Sequence, residues 1–215
     1  MIKKNKWKLI SSSLLILLPI LIGIILWNDL PDKMVTHWNF NGEANGWSSK
    51  PFTIFGMPLI LLVVHLICMF ATEADLKNKG QNKKVLGILF WLVPMISLFV
   101  SGMIYGTALG IQMSVAHLSP VMLGIVFIVS GNYLPKCKQN HTIGIKIPWT
   151  LGNEENWNKT HRLCGKVWVV GGFILILSIC LPQSIMNVLL ILIILIMIMV
   201  PVGYSYYFYK ITAEK

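Results

Sequence analysis

From Asn187 to Phe208 the chain carries no charged side chain, and five earlier stretches are nearly as apolar. A bilayer's hydrocarbon core is about 30 Å thick and takes roughly 20 helical residues to cross. Blocks of that kind are drawn at residues 9–27, 52–71, 85–107, 118–134, 167–181 and 187–208. The fifth is short unless its helix begins earlier, among residues 156–166. Inside lipid every backbone N–H and C=O needs an internal partner, so each block is a helix rather than a lone strand. The expected fold class is an all-α polytopic membrane protein with six transmembrane helices. Composition agrees: 12% of residues are charged and mean hydropathy is +0.70, whereas a soluble domain is about 25% charged. Pro19, Pro58, Pro94 and Pro201 lie inside or near the ends of these blocks and predict kinks rather than breaks.

The lysines set the expected orientation. With both termini inside, the cytoplasmic segments hold Lys3, Lys4, Lys6 and Lys8, then Lys77, Lys79, Lys83 and Lys84. They also hold Lys136, Lys138, Lys146, Lys159, Arg162 and Lys166, and finally Lys210 and Lys215. Of eighteen basic residues, Lys33 and Lys50 alone fall outside, which is a strong positive-inside bias. Topology and anionic headgroups therefore account for the net charge of +10, with the lipid bilayer as partner and no direct role for nucleic acid. The basic start followed by SSSLLILLPILIGIILW imitates a secretory signal. Its apolar run is long and no A-x-A-like site follows, so it is expected to be an uncleaved span. Cys68 and Cys180 fall within spans and Cys137 and Cys164 on the cytoplasmic side, so no stabilising disulfide is expected.

Two polar islands interrupt the apolar blocks. The outer one, residues 28–50, reads NDLPDKMVTHWNFNGEANGWSSK. Strand character over Val35 to Phe40, followed by Asn41-Gly42, predicts a hairpin with a two-residue turn, and Asn45-Gly46 is a second turn signal. Trp38 and Trp47 suit the water–headgroup boundary. The inner island, residues 131–166, holds six basic residues and the acids Glu154 and Glu155. Pro135 and Pro148 oppose a continuous helix across its first half. In the second half Asn153 is the expected N-cap, with both glutamates in the first turn. Trp157, His161 and Cys164 share one face at i, i+4 and i+7. A short amphipathic helix along the inner membrane surface, feeding the fifth span, is expected there. The chain then divides into a two-span unit, 1–84, and a four-span unit, 85–215.

The inner island contains GNYLPK, then IGIKIPWTL, then WNKTHRLCGK. In that order these elements resemble the SdpI-type immunity protein family of bacteria. The outer segment LPDKMVTHWNFNGEANGWSSK, with its H-W-N, two glycines and closing lysine, resembles a small domain often found at the start of the same proteins. The resemblance implies a multi-pass protein of the bacterial plasma membrane that protects its cell from an extracellular toxic peptide of the sporulation-delaying type. It further implies a second role, recruiting a cytosolic repressor to the membrane. On that footing His37, Trp38, Asn39, Gly42, Gly46, Trp47 and Lys50 are the expected toxin-facing residues. Asn132, Pro135, Pro148, Trp149, Thr150, Trp157, Thr160, His161 and Arg162 are those expected to dock a cytosolic partner, combining aromatic anchors with an arginine.

Other chemistry is thinly represented. Cys137-x3-His141 and His161-x2-Cys164 have the spacing of zinc ligand pairs, yet reduced cytosolic thiols are common and no metal is expected. His65 falls mid-span, where an ionisable group is a functional candidate; a neutral imidazole bonded to a neighbouring helix is the plainer reading. It is also the main support for the alternative function, a small membrane transporter or proton-coupled carrier. Gly102, Gly106 and Gly110 form a small-residue stripe that favours close helix contact. The chain contains no H-E-x-x-H, G-x-S-x-G or glycine-rich phosphate loop, so neither an enzyme nor a cofactor is expected.

Overall fold

A computed structural model describes residues 2–213. Lys215, counted above among the cytoplasmic cations, lies outside the described residues. Among those residues six helices are long and apolar enough to cross a membrane. The elements are α1 (Lys6–Ile25), β1 (Lys33–Trp38), β2 (Ala44–Ser49), α2 (Met57–Ala74), α3 (Lys83–Ala108), α4 (Val115–Tyr133), α5 (Pro148–Gly152), α6 (Glu154–Leu177) and α7 (Gln183–Ala213). The helices run unbroken through Pro19, Pro94, Pro120 and Pro201. They are arranged in two compact units.

The first unit joins the chain up to Phe70 with Gly87–Leu118. α1 is its axis, because α2 and α3 both send polar side chains to it. The Ser12 hydroxyl on α1 lies 3.0 Å from the Leu9 carbonyl and 3.0 Å from His65 Nε2 on α2. Donating to the carbonyl, the hydroxyl accepts from the imidazole, which places the proton on Nε2. From α3 the Ser97 hydroxyl donates to the Ile16 carbonyl at 3.2 Å and the Tyr105 hydroxyl to that of Pro19 at 2.9 Å. Interhelical bonds of this kind add directional contacts where lipid supplies no hydrophobic force between helices. Leu30, Met34, Ile54, Ile104 and Tyr105 form the core beneath the hairpin. Between β2 and α2 the chain makes one wide π turn over Phe52–Gly56, with the Met57 N–H bonded to the Phe52 carbonyl.

The second unit joins Ala71–Leu86 with the chain from Ser119 onward. α4 and α6 meet backbone to backbone at two places. A Cβ on Gly131 would lie 2.8 Å from the Gly165 carbonyl oxygen, and one on Gly124 would lie 2.6 Å from that of Gly172. Both contacts are reciprocal, and the seven-residue step from Gly124 to Gly131 matches the step from Gly165 to Gly172. Two-point contact of this kind holds antiparallel helices at the closest spacing side chains allow. The stripe Gly102, Gly106 and Gly110 behaves otherwise. A Cβ at Gly102 or Gly110 would meet nothing within 4 Å, and one at Gly106 would meet Met113 of the following loop. α6 and α7 pack around Leu175, Ile193 and Met197.

α6 corrects one expectation. No separate surface helix feeds the fifth span; Glu154–Leu177 is a single helix, with the Asn153 side chain accepting from the Asn156 N–H at its start. Nothing between Lys159 and Val167 breaks a helix. Gly165, the weakest helix former there, is held by its contact with Gly131.

Gly131→Ala or Gly165→Ala should cost about 1–3 kcal/mol, the usual range for overpacking. Gly102→Ala, with open space around it, should change stability by no more than about 0.5 kcal/mol. Thermal unfolding in detergent measures both, and a Gly131→Ala protein that melts with the native one would rule out the seam.

Candidate functional site

The hairpin offers the first candidate surface. β1 and β2 are antiparallel, with Val35 opposite Trp47, His37 opposite Gly46 and Trp38 opposite Ala44. The turn has three residues, Phe40-Asn41-Gly42, rather than the expected two. Gly42 alone in it has positive φ, at 78°, whereas the two-residue Asn-Gly turn needs two such residues. The Asn39 side-chain oxygen accepts from the N–H groups of Asn41 and Glu43, which fixes the longer form. Asn45-Gly46 lies within β2 and is not a turn. A Cβ on Gly46 would sit 2.9 Å from that of His37, and one on Gly42 would sit 2.8 Å from that of Ala116.

These constraints separate framework from surface. Asn39, Gly42 and Gly46 shape the hairpin, and Trp38 packs against the unit's core. Lys50 is buried at 8% exposure. Its ammonium donates to the Trp27 carbonyl at 3.1 Å, pairs with Asp32 at 3.4 Å and lies 5.2 Å from the Trp27 ring centre. His37, bonded through Nδ1 to the Asn45 side-chain oxygen, is exposed. Trp47 is 57% exposed and Phe40, at the tip, 66%. Phe40 is not among the residues expected from the sequence, although it stands directly before Asn41-Gly42 in a polar segment.

The second candidate is the loop from Cys137 to Ile147, where buried amides take the place of regular structure, together with the short α5 that follows it. Asn140 is fully buried. Its oxygen accepts from the N–H groups of Thr142 and Ile143 at 2.8 and 2.6 Å, and its nitrogen donates to the carbonyls of Lys138 and Ile143 at 2.8 and 2.9 Å. Gln81 reads the Lys138 peptide from both sides, accepting its N–H at 2.9 Å and donating to its carbonyl at 3.0 Å. Asp75 accepts from the His141 N–H at 2.8 Å, the Lys77 N–H at 3.0 Å and the Thr142 hydroxyl at 3.3 Å. Asn78 donates to the Thr72 carbonyl and to the Thr142 hydroxyl.

α6 closes the loop with the expected face. The Trp157 indole N–H donates to the Cys137 carbonyl at 2.7 Å, and its ring stacks on His161 at 4.0 Å between centres. His161 Nδ1–H donates to the Trp157 carbonyl at 2.8 Å, while Nε2 accepts from the Ile145 N–H at 2.9 Å. Both ring nitrogens are occupied and the imidazole is neutral. Gly144, at φ 106°, passes over that pair; a Cβ would lie 2.5 Å from His161 Nε2. Thr150 accepts the Ile147 N–H and donates to the Ile145 carbonyl, and Gln139 donates to the carbonyls of Thr150 and Leu151 at the end of α5. Thr160 donates to Asn156, which donates to the Ser205 carbonyl of α7. Thr150, Trp157, Thr160 and His161 are therefore buried and internally engaged. Asn132, Pro135, Pro148 and Arg162 are exposed, and Trp149 is half-buried against Tyr206, 5.0 Å between ring centres.

Two titrating groups outside the spans are displaced from their ordinary values. Burial pushes the Cys137 thiol up to about 11, against the opposing pull of Asn140 and Gln81, so it is protonated and a poor nucleophile at neutral pH. For Asp75 burial acts upward, but the His141 and Lys77 N–H groups, the Thr142 hydroxyl and the His141 charge outweigh it, leaving the carboxyl below its usual 3.8. Among the described residues no group of three or more His, Cys, Asp or Glu is placed to hold a metal ion.

Cys137 and Cys164 should stay unlabelled by a water-soluble maleimide in the folded protein at neutral pH and react on unfolding. Gly144→Ala, strained at its φ, should cost about 1–3 kcal/mol and open both thiols to labelling, read by intact mass. A depressed carboxyl pKa contributes stability above the unfolded value that disappears as pH falls through the folded one. Acid melting of the native protein should therefore include an Asp75 component that Asp75→Asn removes, leaving a protein less stable at neutral pH and flatter below it.

A family model described as the SdpI/YfhL protein family matches residues 136–205, which span the polar loop, α5, α6 and most of α7. A second model, described as a domain of unknown function (DUF1648), matches residues 14–62, which include the hairpin. The chain is 32% identical over 197 residues to the immunity protein SdpI of Bacillus subtilis (strain 168), with 88% of each chain covered. No solved structure matches. With its apolar helices, loop motifs and this relative in agreement, the chain belongs to the SdpI/YfhL family as a multi-pass plasma-membrane protein of immunity type.

Proposed function

We propose that this protein protects its cell from a secreted toxic peptide of the sporulation-delaying type, and that the hairpin makes the contact. The observation that carries the reading is kinship with an immunity protein along nearly the whole chain. The hairpin supports it with a rigid frame that holds His37, Phe40 and Trp47 in solvent. Exposed aromatics on a fixed backbone bind with little ordering cost. The positive-inside pattern supports an outward orientation for this face, the side from which a secreted peptide would arrive. Lys50, Asn39, Gly42 and Gly46 contribute by holding the frame.

A second role, recruiting a cytosolic repressor, would fall to the exposed part of the polar loop. Asn132, Pro135, Pro148 and Arg162, with the free edge of Trp149, are available for it. Trp157, Thr160, His161 and Thr150 serve that role only by keeping the loop rigid. The carrier alternative rests on His65, whose Nε2 is bonded to Ser12.

Expression in a toxin-sensitive bacterium tests the main reading. The native chain should restore growth, and Phe40→Ala with Trp47→Ala should lower the tolerated dose by about tenfold, as loss of interface anchors does, at unchanged membrane abundance. Unchanged killing with the native chain would reject this toxin class. Unchanged protection by the double variant would move the contact off the hairpin, and protection abolished by His65→Leu alone would favour the carrier.

A further inference from the structure

α6 and α7 leave an open groove of about 320 Å³ on the second unit. Val170 and Ile174 of α6 and Ile193 and Met197 of α7 line it. Gly171 forms its floor, where a Cβ would lie 2.6 Å from Met197 Cε and 3.0 Å from Ile193 Cγ2. One end differs in character. Lys166 lines the mouth, and Arg162 stands one helical turn before it; both are exposed. The ion pair on this helix joins Lys159 to Glu155 at 2.9 Å and leaves Arg162 and Lys166 without an acidic partner among the described residues.

Residues 162, 166, 170 and 174 recur every fourth position and so form one stripe, two cations followed by two apolar side chains. From Lys166 to Ile174 the helix rises about 12 Å, at 1.5 Å per residue. Lys166 is the last charged residue before the apolar part of α6, so the two cations stand at the depth where the chain leaves the polar loop for lipid. We propose that the groove holds one acyl chain of an anionic glycerophospholipid, with its phosphate between Arg162 and Lys166. An entering peptide would leave its backbone groups unpaired against apolar walls, whereas hydrocarbon has none to pair. The volume falls at the small end of ligand sites, about 300–1,000 Å³, enough for part of one chain rather than a whole lipid. A guanidinium beside an ammonium supplies the directed and the mobile donors that a phosphate accepts.

The full-length protein in mild detergent, titrated separately with phosphatidylglycerol and phosphatidylcholine and examined by native mass spectrometry, tests this. One phosphatidylglycerol per chain should be retained, on the order of thirtyfold more strongly than phosphatidylcholine, since two surface cations act together on its net anionic headgroup. Arg162→Gln with Lys166→Gln should abolish the preference. Val170→Trp, which fills the groove and spares both cations, should abolish retention of the single lipid. Equal retention of the two lipids by the native protein, a measurement that needs no variant, would overturn the proposal. So would native-like retention by Val170→Trp, or competition by soluble glycerophosphoglycerol as strong as by the intact lipid.

Discussion

A non-helical backbone at the edge of a membrane must find partners for every N–H and C=O, and the second unit meets that demand with side-chain amides. Asn140 is central, because one buried amide satisfies two N–H groups and two carbonyls of the chain around it. A buried polar group left without a partner costs about 1–3 kcal/mol. Removing this side chain therefore strands several groups together, and no strand or helix is at hand to take them. Gln81 does the same for the Lys138 peptide, and Trp157 caps the Cys137 carbonyl. The path of the loop follows from these bonds rather than from any regular element.

That constraint decides which residues remain for recognition. Trp157 is of a residue type that dominates interfaces, yet it is 0% exposed and His161 1%, the two stacked on each other beneath Gly144. The motif W-x-x-T-H-R is thus mostly architecture: Trp157, Thr160 and His161 turn inward and Arg162 alone turns outward. The hairpin divides its motif the same way. Asn39, Gly42, Gly46 and Lys50 build the frame, while His37, Phe40 and Trp47 face solvent.

Much of this was legible in the sequence where one strong local signal acted alone. Uncharged length marks the spans, the strand pattern before Asn-Gly marks the hairpin, and Asn153 followed by two glutamates marks the start of α6. What escaped depends on partners far along the chain. The face shared by Trp157, His161 and Cys164 was readable, but its direction depends on a loop whose fold hangs on Asn140 and Gln81. Gly102, Gly106 and Gly110 carry the familiar four-residue spacing without a close neighbour helix. The working contact pairs Gly124 and Gly131 with Gly172 and Gly165, and a seven-residue step split between two helices has meaning only once they are known to be antiparallel. The Asn39 side chain lengthens the hairpin turn, although by pattern Asn39 belongs to the strand.

The groove beside α6 extends the same reasoning to the lipid-facing side. The helix begins at the polar loop with its inward face spent on Trp157, Thr160, His161 and Cys164. Its next face is spent on glycines 165 and 172, which meet α4 too closely to admit anything else. Lys166, Val170 and Ile174 are left on the remaining arc, beside α7, whose Met197 and Ile193 side chains reach in over Gly171. A helix so crowded on two sides can present a ligand surface only on the third, and there the surroundings are hydrocarbon and headgroup. The order of residues along that arc, charge first and then branched aliphatics, matches the order in which one lipid presents phosphate and chain.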